Sequence, residues 1–246
     1  MIYICTDIHG LYDRYEKLLE KLNLQDQDVL YVLGDMIDRG SDGIKILQDM
    51  MKRKNIVPFL GNHEHMMLMY LFWYDRKSWL FPVNGGDVTL AEFLKLPETE
   101  QAEIISYLSS SYVIKHLNIK GHRYVLSHIG IRPEEEDLIA DFTNPETDVY
   151  DLQKIVWGEK PYHLSAIRDY PEHLCPTDFM TGHIITARWQ PFEGEDEAIV
   201  SVFPNGCRYF DLDCGCAMGD GMGRLACLAI SEETGEPDTE NIIYIK

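Results

Sequence analysis

Apolar positions in the first sixty residues switch between two periods. Short runs at Ile2 to Cys5, Val29 to Leu33 and Ile56 to Leu60 have the length and β-rich content of buried strands, while Leu11 to Leu22 and Ile44 to Met51 repeat at helical spacing. This alternation predicts βαβ units and a parallel sheet. Each strand run ends in a polar, glycine-bearing turn: Asp7-Ile8-His9-Gly10, Gly34-Asp35-Met36-Ile37-Asp38-Arg39-Gly40 and Gly61-Asn62-His63-Glu64. Ligand sites of open α/β sheets gather at such carboxyl ends.

From His65 to about Ser111 the spacing is mostly helical. A turn at Asn84-Gly85-Gly86 separates a first helix from a second around Thr89 to Leu96, and the whole reads as an insertion beside the sheet. Strand patterns return at Tyr112 to Leu117 and Tyr124 to Leu126, the latter leading into Ser127-His128-Ile129-Gly130, and then at Ile199 to Phe203, Cys207 to Leu212, Leu225 to Ile230 and Ile242 to Ile245. The acidic stretch Pro133 to Asp151 reads as a solvated loop. The expected architecture is a single α/β domain over residues 1–246, in which two packed mixed β-sheets are flanked by helices, with the helical insertion at about 65–111.

Composition narrows the partners. A net charge of −19 disfavours nucleic acid or an anionic membrane surface, since both attract basic faces. Divalent cations in a cleft reverse that field locally and make an acidic protein receptive to phosphate. The six cysteines include no C-x2-C pair, and Cys214-Gly215-Cys216 has the wrong spacing for a zinc clip. The chain opens on Ile2-Tyr3-Ile4 without a basic leader, and its longest apolar run, Met66 to Tyr74, is too short to cross a bilayer. A reduced, cytoplasmic, soluble protein is expected.

The turns hold the candidate chemistry. Asp7 and His9, two apart at a strand end, can reach one ion together, although a D-x-H alone is more often a capped surface turn. Asp35 and Asp38 lie between Gly34 and Gly40, which suggests a backbone bent closely around a ligand. Asn62 can serve as a helix N-cap with Glu64 in the first turn, and still offer an oxygen lone pair. His128 and His183 are each unremarkable alone. Together the turns supply two Asp, three His and one Asn, a donor mixture that suits manganese, iron or zinc.

The motifs D-I-H-G, G-D-M-I-D-R-G, G-N-H-E, S-H-I-G and G-H resemble, in order and spacing, those of the calcineurin-like metallophosphoesterases. The similarity is strongest to their phosphoprotein phosphatase branch, which includes serine/threonine protein phosphatases and symmetrical diadenosine tetraphosphatases. The resemblance runs from Asp7 to His183, with Asp211-Leu212-Asp213-Cys214-Gly215 and the following strand similar to the family's closing segment. It implies that Asp7, His9 and Asp35 hold one divalent metal ion and that Asp35, Asn62, His128 and His183 hold a second, Asp35 bridging. Manganese is the first expectation, iron or zinc the alternatives. It further implies in-line attack by a water-derived nucleophile between the metals, His63 as general acid, Asp38 as its support, and Arg39 as a phosphate-gripping group. Glu64 is expected to orient neighbours.

Two departures stand out. Ile129 replaces a small residue after the histidine of the H-G-G or H-A-G motif, so access to the second metal is expected to be narrower. A second phosphate-binding arginine is missing after Trp157, leaving Lys160, Arg168 or Arg188 as substitutes. His163, Trp189 and the Asn84-Gly85-Gly86 turn with Trp79 are candidates near the cleft, whereas Met66, Met67, Met69, Phe72 and Trp73 are expected in a helix core.

The leading expectation for function is a metal-dependent phosphatase of phosphoserine, phosphothreonine or phosphotyrosine in proteins. Its closest rival is a symmetrical dinucleoside polyphosphate hydrolase, which uses the same metal core on a phosphorylated small molecule. A non-catalytic scaffold is disfavoured because every expected ligand position is filled. A zinc protease is excluded because His63 and His65 are two apart, not four.

Overall fold

The computed structural model describes residues 1–132, 136–158, 162–188, 196–218 and 223–246. In chain order its strands are β1 (Ile2–Cys5), β2 (Val29–Val32), β3 (Ile56–Pro58), β4 (Tyr112–Ile119), β5 (His122–Ser127), β6 (Leu138–Ile139), β7 (Thr177–Thr181), β8 (Ile199–Val202), β9 (Arg208–Asp211), β10 (Leu225–Ile230) and β11 (Ile243–Ile245). The helices are α1 (Tyr12–Leu22), α2 (Gly43–Met50), α3 (Asn62–Trp73), α4 (Gly86–Phe93), α5 (Glu98–Ser109), α6 (Val149–Trp157) and α7 (Tyr162–Arg168).

Two mixed sheets result. One has the order β11-β10-β1-β2-β3 and the other β6-β4-β5-β7-β9-β8. Strands β1, β2 and β3 are parallel, as are β5, β7 and β9, and the remaining pairings are antiparallel. The period-2 rule explains how they pack. Ile2 and Ile4, Tyr31 and Leu33, Tyr124 and Leu126, Phe210 and Leu212, and Leu228 and Ile230 form an inter-sheet cluster, joined by Phe59 and Met180. Residues of the opposite parity, among them Leu30, Val32, Val125, Phe179, Tyr209 and Cys227, belong to the larger cluster that includes the helices. Both faces of each sheet are therefore apolar, which is why the strands read as runs rather than as alternating patterns.

The segment between β3 and β4 is helical, as expected, but it has three α-helices where the sequence pattern suggested two. Met66, Met67 and Met69 are buried, while Phe72 and Trp73 are exposed, the first stacked on Phe142 and the second tilted against it, instead of joining the core. The acidic stretch expected to be a loop contains β6 and the start of α6. Its strand is only two residues long, and the Asp148 cap of α6, whose carboxylate accepts from the Tyr150 and Asp151 amides, looks in sequence like one more loop acid. Arg168 ends α7 beside Asn205, whose amide donates to the Ile167 and Arg168 carbonyls ahead of β9. That places Arg168 at the wrong end of the second sheet for the role considered for it. No helix among the described residues is long and apolar enough to cross a membrane.

Phe210 is fully buried between the sheets, and replacing it with alanine is expected to cost about 3–5 kcal/mol of unfolding free energy. Val202→Ala, at a side chain 72% exposed on the outer strand, should stay within about 0.5 kcal/mol. Urea unfolding of both variants checks the sandwich, and a large loss at Val202 with none at Phe210 would contradict it.

Candidate metal centre

The carboxyl ends of the two parallel sets converge on one site. Asp7 and His9 follow β1, Asp35 and Asp38 follow β2, Asn62 and His63 open α3 after β3, and His128 and His183 follow β5 and β7. The two sheets are tied together there by the His183 amide, which donates to Asp7 Oδ2 at 3.0 Å, while the Gly182 amide donates to the His128 carbonyl at 2.8 Å and joins the turns after β7 and β5. Asp7, His9, Asp35, Asp38, Arg39 and His183 all have positive φ, and they are six of the eleven described non-glycine residues that do. Left-handed backbone is strained for such residues and concentrates where structure overrides local preference for function.

Each ligand candidate has one side fixed by the protein and the other turned inward. His9 Nδ1 donates to the Ile37 carbonyl at 3.2 Å and His128 Nδ1 to the Leu33 carbonyl at 2.8 Å, which leaves both Nε2 lone pairs facing the centre. Asp7 Oδ2 accepts from the Thr6 hydroxyl at 2.6 Å, and Asp7 Oδ1 lies 3.7 Å from His9 Nε2. Asn62 is spared capping duty because Gly61, not Asn62, is the N-cap of α3.

The Asp35 carboxylate lies between two donor sets. Its Oδ2 is 3.6 Å from His9 Nε2 and 3.8 Å from His63 Nε2, and its Oδ1 is 3.5 Å from His128 Nε2. Both three-residue groups able to hold a metal among the described residues, His9 with Asp35 and His63, and Asp35 with His128 and His183, contain it. In the second set Asn62 Oδ1 stands 3.0 Å from His128 Nε2 and 2.8 Å from His183 Nδ1, and the two imidazole nitrogens are 3.1 Å apart. Burial pushes His183 down to about 3, so that ring is neutral. Three mutual contacts among one acceptor oxygen and two ring nitrogens cannot all be hydrogen bonds. An octahedral cation with bonds of ~2.1 Å sets neighbouring donors ~3.0 Å apart, so the residues fit one.

His63 differs from the other histidines. Its Nδ1 meets Asp38 Oδ2 at 2.6 Å, and although burial opposes the charged ring, Asp35 and Asp38 outweigh it and raise the pKa. Asp38 is itself gripped by Trp79 Nε1 and the Thr89 hydroxyl, both at 2.6 Å. Thr89 was not legible as a site residue, and Trp79 was marked only by its nearness to the Asn84-Gly85-Gly86 turn. Arg39 is exposed and aims its guanidinium inward, with Nη1 2.7 Å from His9 Nε2 and Nη2 3.3 Å from His63 Nε2.

Glu64 does more than orient a neighbour. Completely buried, it accepts from the amides of Asp35 and Gly61 on Oε2, at 2.9 and 3.0 Å, and from those of Met36 and Ile37 on Oε1, at 2.8 and 3.3 Å. A Cβ on Gly61 would fall 2.2 Å from Asp35 Oδ1, so only glycine permits the approach. Ile129 is also buried, turned toward Gly158, where a Cβ would lie 2.9 Å from it. The bulk after His128 is thus absorbed by the glycine after Trp157 and does not narrow the centre. Trp157 instead meets His183 edgewise, with ring centroids 6.1 Å apart. Arg188 is exposed five residues after His183, while Lys160, Trp189 and the His163 side chain lie outside the described residues.

A family model for calcineurin-like phosphoesterases matches residues 1–202. The chain belongs to that family. The symmetrical bis(5'-nucleosyl)-tetraphosphatase of Wigglesworthia glossinidia brevipalpis is 30% identical over 152 residues, covering 60% of this phosphoesterase and 52% of the relative. The asymmetrical bis(5'-nucleosyl)-tetraphosphatase PrpE of Halalkalibacterium halodurans is 28% identical over 146 residues, 54% of this chain and 58% of the relative. The chain spans about half the length of the curated relatives it matches. The cold-active protein-tyrosine phosphatase of a Shewanella species aligns with 100% of this chain and 80% of its own, at a TM-score of 0.54 and 17% identity, a likeness of fold.

Glu64→Gln puts an amide donor against two of the four N–H groups, whichever way it turns. With about 1–3 kcal/mol for each donor left unpaired, a loss of about 2–6 kcal/mol in stability is expected. Metal affinity should fall about 10–100-fold although Glu64 belongs to neither donor set, because it holds the backbone that presents Asp35. Urea unfolding and titration calorimetry with manganese read the two effects; unchanged values in both would deny the clamp its role.

Proposed function

We propose that this phosphoesterase hydrolyses dinucleoside tetraphosphates at a two-cation centre held by Asp7, His9 and Asp35 on one side and Asp35, Asn62, His128 and His183 on the other. The observation that carries the reading is the single Asp35 carboxylate between two inward-facing donor sets. Divalent cations bound there, manganese first, supply Lewis acidity toward phosphoryl oxygens and an activated water for in-line attack.

The chain's own groups do the rest. His63 carries the proton for the departing oxygen: Asp38 holds Nδ1 and raises the pKa, which favours the protonated acid over a neutral metal ligand and leaves Nε2 directed at the centre. Trp79 and Thr89 fix Asp38, so the helical segment after β3 sets the angle of the acid. Arg39 grips phosphate oxygens, because a planar guanidinium matches two of them. Arg39 Nη1 stands 2.7 Å from His9 Nε2, a lone pair that a cation held by His9 would take instead, which would leave the guanidinium free for that task.

The choice of substrate rests on the relatives. Those cited at 30% and 28% identity are both named for bis(5'-nucleosyl)-tetraphosphates, the substrate the sequence reading ranked second, and the protein-tyrosine phosphatase shares only the fold. They differ on the bond cut, so the products matter. Manganese-loaded protein given equal concentrations of diadenosine tetraphosphate and a phosphoserine peptide should consume the dinucleotide first, read by mass spectrometry. ADP alone marks symmetrical cleavage, while AMP with ATP marks the asymmetrical kind. Preferential loss of phosphate from the peptide would return the assignment to a protein phosphatase.

His63→Asn should lower turnover by about 100-fold or more on substrates with poor leaving groups. On p-nitrophenyl phosphate, whose phenolate departs with little protonation, the loss should be much smaller. Equal losses on both would remove His63 from the acid role.

A further inference from the structure

Six cysteines are free, and five are buried. Cys5 and Cys227 are direct partners in the β1–β10 register, but both are sealed in the core. Cys175 is the exception. Its side chain is half-buried and lines the walls of two surface cavities, one of about 470 Å³ shared with His173, Pro176 and Gly206, the other of about 500 Å³ shared with Glu172 and Asn205. Cys207 lines neither, and its Sγ lies 3.4 Å from Cys175 Sγ.

The two thiols stand at the starts of β7 and β9, which run parallel with Asp178 opposite Arg208. His183 and Asp213 follow the far ends of the same strands, so the pair is separated from the metal centre by the length of the sheet. Both flanks are anchored. The Cys207 amide donates to Asn205 Oδ1, the Asn205 amide donates to the Ile167 carbonyl, and the Cys175 thiol faces the Pro171 carbonyl at 3.4 Å. Closing the sulfurs from 3.4 Å to a bond of ~2.05 Å takes an approach of about 1.4 Å.

We infer that Cys175 and Cys207 form a dithiol site that exchanges with a low-molecular-weight disulfide admitted through the cavities and closes to an intramolecular disulfide. The order of attack follows from access. The Cys175 thiolate displaces one thiol from the small disulfide R–S–S–R and becomes a mixed disulfide, Cys175–S–S–R. Cys207 then attacks the Cys175 sulfur and expels the second RSH. Two protein thiols are oxidised, one small disulfide is reduced to two thiols, and the two protein protons leave on those products. Burial pushes the Cys207 thiol up to about 12, so it is a poor first nucleophile and depends on its neighbour's proximity.

Folded protein treated with the aromatic disulfide dithiobis(nitrobenzoate) tests this through released thionitrobenzoate and mass spectrometry. The wild type should release twice as much as C207S and keep no adduct, and a non-reducing digest should join the Cys175 and Cys207 peptides. C207S should hold the adduct on Cys175, and C175S should react at least about tenfold more slowly in its first step. An adduct retained on Cys175 of the wild type, a cross-link between other cysteines, or C175S reacting at the wild-type rate would each overturn the assignment. The wild-type cross-link alone decides the matter if either variant folds poorly.

Discussion

The Glu64 carboxylate, with four backbone N–H groups around it, is the contact on which the centre depends. It joins the turn after β2 to the turn after β3, so the residues presenting Asp35 and those presenting Asn62 and His63 share one anchor. Without such a clamp, Asp35 at φ 51° would relax toward ordinary backbone, since the left-handed region disfavours it. Folding free energy from the inter-sheet cluster is thus converted into a fixed position for one carboxylate. The same logic governs the sheet junction, where the His183 amide on Asp7 sets the distance between the two donor sets.

Burial gives this arrangement its charge logic. Asp7, Asp35, Asp38 and Glu64 are all removed from solvent, and so many buried carboxylates are tolerable only with donors or cations around them. Asp38 is neutralised by His63, Trp79 and Thr89, and Glu64 by backbone amides. Asp7 and Asp35 have less of this compensation and face His9 and His128 across open donor geometry.

Strand ends were legible in the sequence because buried strands write themselves as short apolar runs and their polar turns interrupt the pattern sharply. The order of those turns then made the resemblance specific, and all six expected ligand residues converge. What could not be read was tertiary. Thr89 reaches Asp38 across 51 positions of sequence, and a threonine early in a helix has nothing to distinguish it. Glu64 looks in sequence like a first-turn acid serving the helix dipole, although its oxygens reach back into another turn. Ile129 was misjudged for the same reason: its volume matters only against what packs on it, and Gly158 makes the room.

The metal core and the acid proposed above would both be indifferent to what the phosphate is attached to. Discrimination must come from surfaces beyond the centre, and there the chain departs from the pattern it otherwise follows. Trp157 stands beside His183 with its side chain partly exposed, and Gly158 and Glu159 follow it where the family pattern has an arginine. A chain with net charge −19 offers an anionic substrate little long-range attraction, so the encounter depends on the cations, on Arg39 and on flat apolar contact. A ring on the leaving group, whether a nucleobase or the phenol of phosphotyrosine, benefits from such contact, whereas a phosphoserine side chain has no ring to stack.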